Sequence, residues 1–313
     1  MLPDPVHSFT AAGPYDVKLI ILNAGNCKDS LIRHLEINPQ PIAAFTFDTA
    51  CQGTETHFTD LSSSNPGTIV SWDWDFGDGQ PHGTAQNPVH LYTSPGTFNV
   101  TLKVMNGGLC PSTITHVVHV IAAPTALFSV SSANCSGSAV SFVNNSTTPH
   151  GYILRWHWSF GDGHDTTVTL PGLSVVNHIY ATGGTYNVTL TVKTSDSCTA
   201  SVTNTITVYN KPVAAFMSST TNCIGTPVQF TDISQPNGSG PITFWQWDFG
   251  DPQSGANNQS TLQNPVHTFI GTGPFNVQMI VTNAYTCSDT ASNTVSLTAN
   301  PVAGFTADTV CKG

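Results

Sequence analysis

The segment Ser71-Trp72-Asp73-Trp74-Asp75-Phe76-Gly77-Asp78-Gly79 returns as Arg155-Trp156-His157-Trp158-Ser159-Phe160-Gly161-Asp162-Gly163, and again as Phe244-Trp245-Gln246-Trp247-Asp248-Phe249-Gly250-Asp251. A segment reused at a long, nearly fixed period marks one folding unit used several times, and this constrains the chain more than any local signal. Gly77, Gly161 and Gly250 stand 84 and then 89 residues apart. That period is too long for a solenoid repeat and suits a small all-β domain. All six tryptophans fall inside the three copies, so they belong to the scaffold and no single one marks a site.

Alignment on the motif divides the chain. Units open at Pro41-Ile42-Ala43-Ala44-Phe45, at Pro124-Thr125-Ala126-Leu127-Phe128 and at Lys211-Pro212-Val213-Ala214-Ala215-Phe216, and one more opens at Pro301-Val302-Ala303-Gly304-Phe305. The expected organisation is three complete domains at 41–123, 124–211 and 212–300. Residues 1–40 are expected to be the C-terminal half of a truncated repeat, and 301–313 the first strand of a further one. The chain reads as a piece of a longer array, with any export signal expected to lie outside it.

The longest strand of each unit alternates apolar and polar residues. Phe98, Val100, Leu102 and Val104 correspond to Tyr186, Val188, Leu190 and Val192, to Phe275, Val277, Met279 and Val281, and to Tyr15, Val17, Leu19 and Ile21. Period-2 spacing puts one face on a core and one in water. The same parity turns Trp72, Trp74 and Phe76 inward. Short strands separated by Gly, Pro and Asn turns predict two-sheet antiparallel sandwiches, and no stretch has helical periodicity.

Composition excludes several partners. Only 8% of the 313 residues are charged, against roughly 25% in an ordinary soluble domain. The net charge of −10 offers no phosphate-neutralising face, which argues against nucleic acid. No apolar run approaches the roughly 20 residues a membrane-spanning helix needs.

Three motifs in fixed order, Trp74-Asp75-Phe76-Gly77-Asp78-Gly79, Asn87-Pro88-Val89-His90-Leu91-Tyr92 and Gly96-Thr97-Phe98-Asn99-Val100-Thr101-Leu102, resemble the PKD (polycystic kidney disease) domain, over nearly the whole chain. The resemblance implies an all-β, rod-like array of tandem immunoglobulin-like sandwiches in a secreted or cell-surface protein. Neighbouring PKD repeats, and surface glycans or proteins, are the partners it implies. The paired cysteines and Pro-x-Ala-x-Phe openings are similar to long PKD arrays of Bacteroidetes-type surface adhesins. The function it implies is a non-catalytic structural and adhesive spacer array at the cell surface, with an accessory region of a secreted hydrolase, whose catalytic domain lies outside these residues, as the alternative. Two loops depart from the pattern: Val176-Asn177-His178 replaces Asn-Pro-x-His, and Gly250-Asp251-Pro252 leads into an insertion. Variable loops at 62–68, 149–152 and 253–261 are the expected binding surfaces.

Candidate chemistry is sparse. The turns Gly77-Asp78-Gly79, Gly161-Asp162-Gly163 and Gly250-Asp251 carry carboxylates, and Asp75 with Asp78 is a pair that calcium chemistry allows without being indicated. A short Asp also closes a turn on backbone N–H groups while glycine supplies positive φ, and this is the expected role. No catalytic residue, cofactor site or metal site is read from the spacings. The repeated His7, His90, His178 and His267 are expected to bond neighbouring backbone groups. Asp29-Ser30-Leu31, Asp48-Thr49-Ala50, Asp289-Thr290-Ala291 and Asp308-Thr309-Val310 resemble the Asp-Ser/Thr-apolar glycan acceptor of Bacteroidetes, in a chain rich enough in Ser and Thr for chance matches.

The eight cysteines alternate between two repeat positions. Cys51, Cys135, Cys223 and Cys311 follow the first strand, and Cys27, Cys110, Cys198 and Cys287 precede the last. Regular use without metal spacing reads as a disulfide framework in an oxidising compartment. If an immunoglobulin-like sandwich carries the two positions at opposite poles, pairing within a unit must bridge a strand length of over about 20 Å, against a limit near 7 Å. Links across junctions, Cys51 with Cys198 and Cys135 with Cys287, are then expected. Pairs within units (Cys51 with Cys110, Cys135 with Cys198, Cys223 with Cys287) remain the alternative should the first strand kink.

Overall fold

The structure is a computed structural model and describes residues 4–131, 134–219 and 223–307. Cys311 and the triplet Asp308-Thr309-Val310 lie outside the described residues. The first complete repeat consists of β3 (Phe45–Phe47), β4 (Glu55–Asp60), β5 (Ile69–Asp75), β6 (Val89–Leu91), β7 (Gly96–Asn106) and β8 (Pro111–Val120), preceded by a hairpin of β1 (Gly13–Leu22) and β2 (Lys28–Ile37). One sheet has the order β3-β4-β6 and the other β5-β7-β8, each antiparallel. The second and third repeats reproduce both sheets and add a short edge strand next to the counterpart of β5 (Asp165–Thr169 and Gln259–Ser260).

Why β7 and its counterparts sit at the centre follows from their pattern. Val100, Leu102 and Val104 are fully buried, as are Val188, Leu190 and Val192, and Val277, Met279 and Val281. Trp74 is opposite Leu102 on the neighbouring strand, and its ring packs edge-on against Phe45 across the gap between the sheets. Trp74, Trp158 and Trp247 are each 0% exposed. Burying an aromatic of this size contributes several kcal/mol by area alone, which makes the tryptophan the largest single apolar contributor to each small core.

The two incomplete repeats behave differently. β1 and β2 pair along their whole length, but Leu19, Ile21 and Leu22 remain 59%, 57% and 59% exposed because no second sheet covers them. Residues 301–307 form no strand and Phe305 is 92% exposed. In the complete repeats this segment pairs with the strand that follows it, and no such strand stands among the described residues here. One helical element also departs from the expectation of none: a short 3-10 turn over Pro252–Asn258, in the insertion of the third repeat.

By its internal contacts the chain divides into two compact units, one of residues 1–125, 147–155 and 192–200, the other of 126–146, 156–191 and 201–313. The division does not follow the repeat boundaries. The first unit takes in two segments of the second repeat, one of which carries Cys198.

Candidate functional site

In each repeat the turn that follows the tryptophan strand carries an aspartate that meets a histidine on a short strand of the other sheet. In the first, Asp75 Oδ1 accepts the Gly77 N–H at 2.9 Å and Asp78 Oδ1 accepts the Gln80 N–H at 3.1 Å. Gly77 has φ +78°, and a Cβ there would lie 2.6 Å from the Asn99 carbonyl oxygen of β7, so the turn needs glycine twice over. The remaining oxygen, Asp78 Oδ2, is 2.8 Å from His90 Nε2. Asp162 with His178 (2.7 Å) and Asp251 with His267 (3.1 Å) repeat the pair. This corrects the expectation that these histidines bond backbone groups: the second carboxylate oxygen is left free by the turn and lies directly across from the imidazole.

The histidine ring is fixed by aromatic neighbours. It stacks on Phe76 at 3.9 Å with an interplanar angle of 9°, and Tyr92 meets its edge. The Tyr92 hydroxyl donates to the Phe76 carbonyl at 3.2 Å, and burial pushes that phenol's pKa far above its usual value. In the third repeat Phe269 replaces the tyrosine and the pair is more deeply buried, with Asp251 also accepting the Ile270 N–H at 3.0 Å. There Pro252 stands in place of the second glycine, and Asn258 braces the turn: its Oδ1 accepts the Asp251 N–H and its Nδ2 donates to Asp248.

Electrostatics follow from these contacts. Burial alone would raise the Asp78 carboxyl, but the His90 and Gln80 hydrogen bonds outweigh it and hold it below the usual 3.8. Asp232 is likewise held low against burial, by Ser234, Gln263 and Trp245. A group depressed on folding contributes stability above its unfolded pKa and loses it as pH falls through the folded value. The thermal midpoint should therefore be insensitive to these groups from pH 7 down to about 4 and drop below it. Asp78→Asn with Asp232→Asn should flatten that drop when the midpoint is followed by circular dichroism; a drop unchanged by the pair would contradict it.

A second polar anchor distinguishes the repeats. Trp72 Nε1 donates to Asp60 Oδ2 at 2.7 Å and Trp245 Nε1 to Asp232 Oδ2 at 2.8 Å. The second repeat has Asn144 at this place. Its Oδ1 serves the Ser146 N–H, which leaves an NH2 group where the others have an acceptor, and Trp156 Nε1 has no partner although Trp156 is 4% exposed. Trp158 Nε1 is also unpartnered, whereas Trp74 donates to Ala85 and Trp247 to Leu262, in the segment that precedes the Asn-Pro-x-His motif; the departing Val176-Asn177-His178 lies on the strand Val175–Ile179 and not, as expected, in a loop. Asn144→Asp should stabilise the second repeat by roughly 1–2 kcal/mol, the value of one charge-assisted bond to a buried donor. Urea unfolding of the two chains gives the comparison, and a loss of stability would contradict it.

The structure joins Cys51 to Cys198 and Cys135 to Cys287, each with Cα atoms 5.6 Å apart, and leaves Cys27, Cys110 and Cys223 unbonded. Two local devices put these residues together. The cysteine after the first strand lies in a parallel bridge beside the chain leaving the sandwich: Cys51 beside Ile121, Cys135 beside Tyr209. The cysteine before the last strand sits where the chain enters. Asn283 accepts the Cys287 N–H and donates to Asn210 O, and Asn106 does the same for Cys110 and Pro39 O. One linker is thus flanked by a cysteine from each side. Asn106 and Asn283 were not singled out from the sequence; their signal is an asparagine on the inward parity of an otherwise apolar strand.

Of the loops expected to carry a binding surface, 149–152 borders an open groove of about 570 Å³ lined in part by His119, His150 and Asp196. The second repeat also brings His164 against Asp162 and His178, a group that spacing alone did not reveal.

A chain of antiparallel two-sheet sandwiches, each cored by one tryptophan, is an immunoglobulin-like repeat protein. It belongs to the PKD domain family, whose pattern matches residues 38–120, 121–208 and 209–299. A microbial collagenase of Vibrio alginolyticus is 37% identical over 87 residues, which is 28% of this chain and 10% of the collagenase. Polycystin-1 of Homo sapiens is 23% identical over 289 residues, 89% of this chain and 6% of that protein. Pre-pro-metalloprotease PrtV of Vibrio cholerae is 28% identical over 153 residues, 48% of this chain and 16% of the protease. The chain therefore spans a small part of the curated relatives it matches. Among solved structures, the PKD1 domain of Vibrio anguillarum Epp is 31% identical, with 26% of this chain and 95% of that domain covered and a TM-score of 0.25.

Proposed function

We propose that this chain is a non-catalytic spacer and adhesive array outside the cell, in which stapled PKD repeats hold a binding surface or a terminal domain away from the cell surface. The observation that carries the reading is the pair of disulfides, each joining one repeat to the next. A link of this kind does nothing for a reaction, but it resists force and protease at the point where a tandem array is weakest. Each closes a loop of about 150 residues, for which chain entropy gives about 5 kcal/mol. Disulfides also suit an oxidising compartment. No helix among the described residues is long and apolar enough to cross a membrane. Contact with glycans or proteins falls to the variable loops, where the groove beside His150 is the place to look.

The test is limited proteolysis of the oxidised chain and of a Cys51→Ser, Cys135→Ser variant, with tryptophan emission followed in parallel. Cleavage between repeats should accelerate in the variant while the emission of the buried tryptophans stays unchanged. Equal cleavage rates would remove the mechanical role. The matches to a collagenase and to PrtV favour a second reading, an accessory region of a secreted protease or polysaccharide-degrading enzyme. A catalytic domain in the same gene product would establish it, and hydrolysis of collagen or polysaccharide by this chain alone would overturn the non-catalytic reading.

A further inference from the structure

We propose that the second repeat holds a divalent transition-metal ion between Asp162, His164 and His178. The three repeats form an internal comparison. All have the Asp–His pair, but the residue two beyond the aspartate is Gln80 in the first, Gln253 in the third and a histidine only in the second. There His164 Nδ1 lies 3.4 Å from Asp162 Oδ1, and His178 Nε2 lies 2.7 Å from Asp162 Oδ2. The three ligand atoms all fall within 4.8 Å of one another, and no other group of three does so among the described residues.

Tetrahedral ligands at about 2.0–2.1 Å from zinc stand roughly 3.4 Å apart, so closing the site takes a small opening of the hydrogen-bonded His178–Asp162 contact together with a rotation of His164. That ring is free to make them, being 74% exposed, while Asp162 and His178 are held at 15% and 13% exposure by the turn and by the Phe160 stack. The site therefore has two preorganised ligands, one mobile ligand, and open positions towards solvent. Two imidazoles and one carboxylate suit Zn²⁺, Ni²⁺ or Cu²⁺ rather than Ca²⁺, which takes six to eight oxygens. The metal takes the place of the proton shared by His178 Nε2 and Asp162 Oδ2, and the open positions leave room for water or for a side chain of a partner.

The experiment is Zn²⁺ titration of the full untagged chain by calorimetry, with Co²⁺ absorption reporting coordination. One ion per chain is expected. His164→Gln, which copies the first repeat at an exposed position, should abolish stoichiometric binding without changing thermal stability. Gln80→His should raise the stoichiometry to two. His82, 2.7 Å from Asp73 and 3.9 Å from Asp75, is the competing location, and His82→Ala should leave binding intact. No ion bound, an ion retained in His164→Gln or lost in His82→Ala, or a stoichiometry of one in Gln80→His would each overturn the assignment.

Discussion

Gly77→Ala should destabilise the first sandwich by about 3 kcal/mol or more, while Gly79→Ala, two residues along the same turn, should cost only about 1–2. Both glycines have positive φ, +78° and +77°, and so carry the same left-handed penalty for any residue with a Cβ. They differ in what that Cβ would meet. At Gly79 nothing lies within 4 Å. At Gly77 the added carbon would sit 2.6 Å from the carbonyl oxygen and 3.0 Å from the nitrogen of Asn99, in the backbone of the central strand β7. That strand is hydrogen-bonded on both sides and cannot give way, so overpacking adds roughly 1–3 kcal/mol to the conformational cost. Gly161 and Gly250 meet Asn187 and Asn276 in the same way at 2.6 and 2.5 Å, and the prediction carries over to them. Urea unfolding with hydrogen exchange resolved by segment would assign the loss to residues 41–123. Equal losses for the two substitutions would show that the close approach to β7 plays no part.

The Asp–His pairs should not be equivalent. Asp251→Ala is expected to cost about 3 kcal/mol or more, and Asp78→Ala about 1–2. Asp251 accepts from both His267 Nε2 and the Ile270 N–H, and its side chain is 1% exposed beside a histidine that is 2% exposed. Truncation leaves two buried groups without partners, each at a desolvation cost of roughly 1–3 kcal/mol. Asp78 and His90 are 13% and 11% exposed, enough for water to replace the lost carboxylate. Thermal unfolding of the two single variants would order them, and an Asp78→Ala loss as large as that of Asp251→Ala would refute the burial argument.

Much of this was legible without coordinates, and for identifiable reasons. Period-2 alternation in Phe98, Val100, Leu102 and Val104 names a half-buried strand whatever surrounds it, because side-chain direction alternates by backbone geometry alone. Recurrence of the tryptophan motif sets the repeat, and recurrence of the cysteines at two fixed offsets points to a framework of links. Local chemistry also suggested the turn, since an aspartate between glycines has few other uses.

What the tertiary structure decided was which distant groups meet. The partner of His90 is twelve positions away on the far side of a loop, and only the folded turn shows that Asp78 has an oxygen left for it. That Asn144 strands the Trp156 N–H is invisible in a sequence where Asn for Asp looks conservative, because the cost arises from a donor facing a donor in a buried place. The choice between disulfides within repeats and across junctions depended on which pole each cysteine occupies, and only the folded chain shows Cys51 in a parallel bridge beside Ile121, where the chain leaves its sandwich. Strand identity is a property of neighbouring residues and is written in their order. Contacts between carboxylate, imidazole and thiol depend on how loops close in three dimensions, which no local pattern encodes.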